Sequence, residues 1–448
     1  MDCALRWGWV PRIVAAMRED TRRWIEKDKR HCWHPFTRQG EWCAEGHEPL
    51  VITGGDGVWL MDSEGRRYFD GNSSIWTNVH GHGRREIGEA VREQLERVSH
   101  VSFLGQTHPA AIELAGRLCG FFPRGTLDRV FFSDNGSTAV ECALKMSLQY
   151  RQQTGEGERC GFVSFANGYH GDTLGAASLG GVGRFFDRFR GAGYPVRFVR
   201  DLLELRGLGR EESGGVSAVV VEPLVQGVNG MRLWPAGMLA ELRAWCDAEG
   251  VHLILDVVMT GFGRTGTMFA CEREGVVPDF LCLAKGLTGG TLPLAATLTR
   301  EGIYEAFLGG AERAFYYGHS YTAHPAGCAA ALASLDLFEG GRLLERVVER
   351  AGQMAEGLVR IAGHGLVREV RQCGLIAGIE LCGPGGEAFP PESRVGERFC
   401  FGARRHGLLT RPILDTVVLM PPLCVSGEEL DFSLDAVWKT LEEGILEG

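Results

Sequence analysis

Short apolar runs recur through the middle of this 448-residue chain, each closing on polar residues and each separated from the next by helical periodicity. Arg129–Phe132 leads into Ser133-Asp134-Asn135-Gly136-Ser137, and Gly161–Phe165 leads into Asn167-Gly168-Tyr169-His170-Gly171. Ala218–Val221 ends at Glu222, His252–Leu255 at Asp256, and Leu281–Ala284 at Lys285. Strands that are apolar throughout, rather than at alternate positions, are covered on both faces. Alternating with helices, they predict an α/β fold with a mainly parallel central sheet and helices on both sides. Ligands of such sheets bind beyond the carboxyl ends of the strands, where these polar residues gather.

The pattern changes from about Gly341. Helical segments Arg342–Arg360 and Glu397–Arg405 alternate with strand-like Gly374–Leu381 and Thr416–Met420, and Gly383–Pro391 is a turn-rich loop. Val58–Tyr68 reads as a hairpin turning at Asp62–Gly65. The expected organisation is an N-terminal segment, 1–74, joining a small α+β domain at 341–448, with a large domain at 75–340 between them.

Composition narrows the function. A net charge of -10 without a basic run argues against a nucleic-acid partner. No apolar stretch approaches the ~20 residues that span a bilayer. Fourteen cysteines without a C-x-x-C pair read as reduced thiols in a cytoplasm, and no Cys/His cluster has metal-ligand spacing. Arg6, Arg12 and Arg18 interrupt the apolar positions at the N-terminus, so no signal-peptide core forms there. Met17 precedes a more ordinary helical start, and residues 1–16 are expected to come from an upstream start codon.

Only five of the 47 basic residues are lysines. The chain uses arginine where charge alone suffices, so a lysine in apolar surroundings is expected to serve through its amine. Lys27, Lys29 and Lys439 lie among charged or helical surface residues, and Lys145 lies in an amphipathic helix. Lys285 alone follows an apolar run and precedes a glycine-rich loop. The plainer alternative is a lysine snorkelling at a strand end.

Around Lys285 stand the other parts that pyridoxal phosphate chemistry requires. Asp256, one strand-helix-strand step earlier, ends a buried strand and offers a carboxylate for the pyridine nitrogen. By itself it is as readily a helix cap. Gly136 and Ser137 open a helix whose first N–H groups suit a phosphate, although a simple N-cap explains them too. Tyr169 is placed to lay its ring on a cofactor, or merely to pack. Arg411, in the apolar stretch Leu-Leu-Thr-Arg-Pro-Ile, suits a substrate carboxylate or a structural ion pair. Their joint occurrence favours the cofactor.

Read together, Asp256…Thr260-Gly261-Phe262-Gly263-Arg264-Thr265-Gly266, Pro278-Asp279 and Ala284-Lys285-Gly286 resemble the class III, fold type I aminotransferases. The similarity runs from about Lys29 to Pro422. Trp33-His34-Pro35-Phe36-Thr37, Asp70-Gly71-Asn72-Ser73-Ser74, Asn167–Thr173, Val225-Gln226-Gly227 and Arg411-Pro412 resemble the branch that aminates 8-amino-7-oxononanoate in biotin biosynthesis.

The resemblance implies that Lys285 holds the cofactor as a Schiff base and shuttles a proton between the substrate carbon and C4′. It implies Asp256 on the pyridine nitrogen, Val258 and Tyr169 against the ring, and Gly136 with Ser137 on the phosphate. Ser320 of Gly318-His319-Ser320 matches a phosphate contact from the other subunit, which implies a homodimer with shared sites. Arg411 would bind the substrate carboxylate and Trp76 would line the channel.

Five positions depart from the pattern. Val257 stands where the family has glutamate, and Ala323-His324-Pro325 replaces Gly-Asn-Pro. Phe36 and Ile75 stand where the adenosylmethionine-using branch has tyrosine and tryptophan. With Gly318-His319-Ser320 and Leu408-Leu409-Thr410, they look more like the branch whose donor is lysine. Three alternatives stand beside this reading. One is another class III ω-aminotransferase or an aminomutase. Another is a nucleotide-binding protein, against which the absence of a phosphate-loop motif counts. The last is a cofactor-binding protein that no longer turns over.

Overall fold

The computed structural model describes residues 17–189, 191–208, 213–340 and 342–444, so the expectation about residues 1–16 lies outside it. A seven-stranded sheet runs in the order Arg129–Ser133, Ala295–Thr299, Phe280–Leu283, His252–Asp256, Val216–Val221, Gly161–Phe165, Val196–Val199. The five apolar runs are five of these strands, with ends shifted by a residue or two. Ala295–Thr299 pairs antiparallel with both its neighbours, and the remaining pairs are parallel. Because it is antiparallel on both sides, Arg129–Ser133 points the same way as Phe280–Leu283. All the polar strand ends therefore emerge at one edge.

Both sheet faces are buried, which is why the strands show no polar alternation. Leu253, Leu255, Leu281 and Leu283 join one core cluster. Ile254, Phe280 and Cys282 face the opposite side and pack with Val140, Ala143 and Leu144 of the helix Gly136–Gln153. Successive strand residues point to opposite faces, so an unbroken apolar run supplies two cores at once.

The N- and C-terminal parts build smaller sheets. Trp59–Asp62 and Arg67–Asp70 form the expected hairpin, with Gly65 N–H donating to the Asp62 carbonyl at 2.9 Å. Leu408–Leu409 adds to that sheet, parallel to Arg67–Asp70. Val367–Cys373, Ile376–Leu381, Thr416–Leu419 and Pro412–Ile413 form a further antiparallel sheet. The helices Leu343–Ala362 and Gly427–Glu442 pack against each other nearby. Arg264, fully buried, donates to the carbonyls of Asn78 and Pro421 and so ties both ends of the chain to the large sheet. Among the described residues no helix is long and apolar enough to cross a membrane, and no group of His, Cys, Asp or Glu could hold a metal ion.

Candidate active site

The strands His252–Asp256 and Phe280–Leu283 are parallel neighbours with Asp256 beside Cys282, so Asp256 and Lys285 leave the sheet at the same edge. A cavity of about 760 Å³ opens there. Lys285, Asp256, Tyr169, Gly136, Ser137, Val258 and Trp76 all line it.

Lys285 sits at φ 46°, in the left-handed region, at the start of the turn Lys285–Thr288. The next position must be small, because a Cβ on Gly286 would lie 2.9 Å from the Cβ of Phe262. The lysine side chain is half-buried, yet its surroundings strip water from the amine. Burial lowers its pKa from 10.5 to about 8, against the pull of Asp256 and Glu222 and with the help of Arg264. The ammonium lies 4.7 Å from the centroid of the Trp76 ring.

Asp256 is buried, and its two oxygens are both engaged. Oδ2 meets His170 Nδ1 at 2.9 Å and Oδ1 accepts the Val258 N–H at 3.2 Å. Glu222 accepts N–H bonds from Tyr169 at 3.0 Å and Gly227 at 2.9 Å. Burial pushes its pKa up to about 7; His170 opposes the rise and Asp256 adds to it. The Tyr169 hydroxyl donates to Asp172 at 2.7 Å, and burial foremost raises its pKa, so it keeps its proton at neutral pH.

The helix Gly136–Gln153 begins at Asn135, whose side chain accepts from Thr138 N–H in a reciprocal capping box. The N–H groups of Gly136 and Ser137 have no acceptor within the helix and sit at the positive end of its dipole. A Cβ on Gly136 would lie 2.8 Å from Val258 Cγ1, so only glycine keeps the helix start this close to the cavity wall. Thr260, another lining residue, has a buried hydroxyl without a partner among the described residues. An amine with a lowered pKa, a carboxylate, a helix N-terminus and the side chains of Tyr169 and Val258 fit a phosphorylated pyridine aldehyde.

One wall has unusual backbone. Ser73, Ser74, Ile75 and Trp76 all have positive φ, at 45°, 50°, 70° and 67°, and form one turn of left-handed helix. Such a conformation costs roughly 1–2 kcal/mol per residue for L-amino acids, so its surroundings must hold it.

Four expected site residues stand outside the cavity lining. Phe36, exposed and at φ 50°, meets Phe185 edge-on at 5.6 Å; Phe185 and Phe186 continue the ring contacts to Tyr169. Gly318 and Ser320 are exposed. Arg411 is exposed too, and it forms no ion pair among the described residues, so the structural ion pair weighed for it is not seen. Val257 is fully buried in the main core, and His324 stacks on His100 at 5.3 Å.

Sequence reasoning missed the supporting roles of His170, Glu222 and Asp172. Each had a signal: Glu222 closes an apolar run, and the other two follow Tyr169 within three residues.

Comparison with known proteins matches this geometry. The family described as aminotransferase class III aligns with residues 42–441. An adenosylmethionine-8-amino-7-oxononanoate aminotransferase of Geobacter sulfurreducens is 45% identical over 94% of this chain and 98% of its own. The crystal structure of the enzyme of that name from Methanocaldococcus jannaschii superposes with a TM-score of 0.91 at 36% identity, covering 95% of this chain and 99% of that one. An (S)-enantioselective omega-transaminase from Thermomicrobium roseum superposes with a TM-score of 0.90 at 35% identity, over 95% and 99%. With the family aligned across nearly all of its length, the chain belongs to the class III aminotransferases, enzymes that work with pyridoxal 5′-phosphate.

Proposed function

We propose that this aminotransferase transfers an amino group to 8-amino-7-oxononanoate, giving 7,8-diaminononanoate for biotin biosynthesis. The observation that carries the reading is the near-full-length similarity to enzymes named for that acceptor, joined to the convergence of Lys285 and Asp256 in one cavity. When bound, pyridoxal phosphate supplies an electron sink for the carbanion that forms beside the substrate nitrogen.

The chain's own residues do the rest. Lys285 Nζ would hold the cofactor and, once released by a substrate amine, would carry a proton between the carbon that bears the substrate nitrogen and the cofactor's C4′. A lowered pKa suits it to both tasks near neutrality. Asp256, held by His170, keeps a proton on the pyridine nitrogen. Tyr169 and Val258 bracket the ring, and Gly136 with Ser137 bind the phosphate through N–H groups. Trp76 lines the substrate channel with Phe36 and Gly318. Arg411, without an ion pair among the described residues, takes the substrate carboxylate.

Ser320 reaches the phosphate of a second subunit, which makes the enzyme a homodimer with shared sites. We further take 1–74 and 341–448 as one small domain against 75–340, supported by the pairing of Leu408–Leu409 with Arg67–Asp70. The unpaired cysteines agree with a cytoplasmic enzyme.

The donor is adenosylmethionine by the relatives' names and lysine by Phe36 and Ile75. A site built around a donor hydroxyl contact discriminates strongly against losing it. Absorbance of the holoenzyme with each donor alone decides between them, because only the true donor converts the cofactor to its amine form. Product formation from the oxononanoate then tests the acceptor. Retained activity in Lys285→Ala would overturn the catalytic assignment. The second reading, an ω-aminotransferase using pyruvate, has the Thermomicrobium structure in its favour; turnover of ω-amino acids with pyruvate but not of the oxononanoate would establish it.

A further inference from the structure

We infer that Asp70 is a positioning residue for the substrate channel: its buried carboxylate holds the left-handed turn 73–76 and thereby sets the Trp76 ring over Lys285. The inference rests on the reading of Trp76 as a channel residue.

Asp70 ends the strand Arg67–Asp70 and is 2% exposed. Four donors converge on it: the N–H of Asn72 at 3.3 Å, the N–H of Ser74 at 3.1 Å, the Ser74 hydroxyl at 3.0 Å and His82 Nε2 at 2.8 Å. The Asn78 side chain fixes the histidine's role. Its oxygen accepts the Gly81 N–H at 2.8 Å, so its Nδ2 faces His82 Nδ1 at 3.0 Å as a donor. Nδ1 must then accept, and the ring proton lies on Nε2, directed at Asp70.

The chain between Asp70 and Asn78 would otherwise turn right-handed. In the left-handed turn Trp76 N–H bonds to the Asn72 carbonyl at 2.8 Å, and Thr77 N–H to the Ser73 carbonyl at 3.0 Å. The N–H groups of Asn72 and Ser74 are left pointing at one spot, which the carboxylate fills with charge-assisted bonds. The same turn aims Trp76. Its indole N–H donates to Asn72 Oδ1 at 2.8 Å, and its ring faces the Lys285 ammonium at 4.7 Å. The far end is held as firmly. A Cβ on Gly290 would lie 2.8 Å from the Thr77 backbone, and Arg264 donates to the Asn78 carbonyl at 2.8 Å. Right-handed relaxation would thus move Trp76 while Asn78 stays clamped.

A double-mutant cycle on the holoenzyme tests this, using Asp70→Asn, Trp76→Ala and the pair, with acceptor KM, kcat and the thermal midpoint as readouts. An amide at 70 keeps the shape but turns an N–H towards either Ser74 or His82. The expected result is an acceptor KM about ten-fold higher for Asp70→Asn and less than about two-fold higher when Trp76 is already alanine. Ser74→Ala, at an exposed position that does not threaten folding, is expected to raise KM about three-fold, again only with Trp76 present. Equal losses in both backgrounds, or a lowered midpoint with unchanged KM, would show that Asp70 serves the fold alone. If Asp70→Asn does not fold, the Ser74→Ala cycle decides by the same criteria. Should Trp76→Ala leave KM unchanged, the channel reading itself falls and takes this inference with it; additive losses overturn the inference and leave that reading intact.

Discussion

At the scale of single residues, Lys285 shows how much one amine depends on its surroundings. The unfolded chain carries it at its ordinary 10.5, and the folded chain at about 8. Between those values the unfolded state binds more protons, so stability of the cofactor-free protein rises with pH across that window. Each unit is worth about 1.4 kcal/mol, which makes the whole effect a few kcal/mol. Chemical denaturation of the cofactor-free wild type and of Lys285→Met at pH 7, 8 and 9 isolates the group. The stability difference is expected to move in favour of the wild type from pH 8 to 9, and in the same direction but by much less from 7 to 8. Cofactor uptake, which needs the neutral amine, is expected to rise with a midpoint near pH 8; a midpoint above 10 would mean that burial does not act on this amine. Lys285 was legible in the sequence because lysine is rare here and this one closes an apolar strand. Its partner Asp256 was legible for the same positional reason. The hydrogen bond from His170 was not, since this histidine lies 86 residues before Asp256 and reaches it only because its strand is two places away in the sheet order.

At the scale of elements, the cradle at the start of Gly136–Gln153 makes two demands at once. Asn135 must cap the helix, and position 136 must have no side chain. Asn135→Ala is expected to cost about 1 kcal/mol of stability, seen as a lower thermal midpoint, with modest loss of cofactor affinity. Gly136→Ala acts the other way round. Alanine favours a helix, but its Cβ would collide with Val258 beside the cavity. Cofactor affinity is expected to fall about ten-fold or more while the cofactor-free midpoint barely changes, as absorbance titration and calorimetry would report. Strands and helices of the large sheet were legible because burial on both faces leaves an unbroken apolar run. Ala295–Thr299 and Val196–Val199 escaped notice: the first mixes alanine and threonine, and the second includes Arg197 and is only partly buried. The left-handed turn 73–76 carries no glycine to announce it. It is held by the side chains of Asp70 and Asn72 a few residues earlier, contacts that helix and strand propensities do not encode.

At the scale of the whole molecule, the residues divide into those that meet in one chain and those that do not. Lys285, Asp256, Tyr169, Gly136, Ser137, Val258 and Trp76 share a cavity within a single subunit. Gly318 and Ser320 stand exposed on a segment flanked by the exposed side chains of Tyr316 and Tyr321, an arrangement that suits contact with a second copy of the chain. If Ser320 completes the partner's phosphate site, each active site draws Lys285 from one subunit and Ser320 from the other. Lys285→Ala and Ser320→Glu, the second placing a carboxylate against phosphate, would each silence both sites of a homodimer. Mixed dimers behave differently, because both lesions fall in one site and the other site is whole. Dissociation and random reassociation of equal amounts of the two inactive proteins is therefore expected to restore about a quarter of wild-type activity: half the dimers are mixed, each with one working site. Activity that stays at zero in the mixture, with mixed dimers confirmed by native mass spectrometry, would place Ser320 in the same site as the Lys285 of its own chain. A Ser320→Glu protein that is fully active by itself would remove Ser320 from the phosphate site altogether.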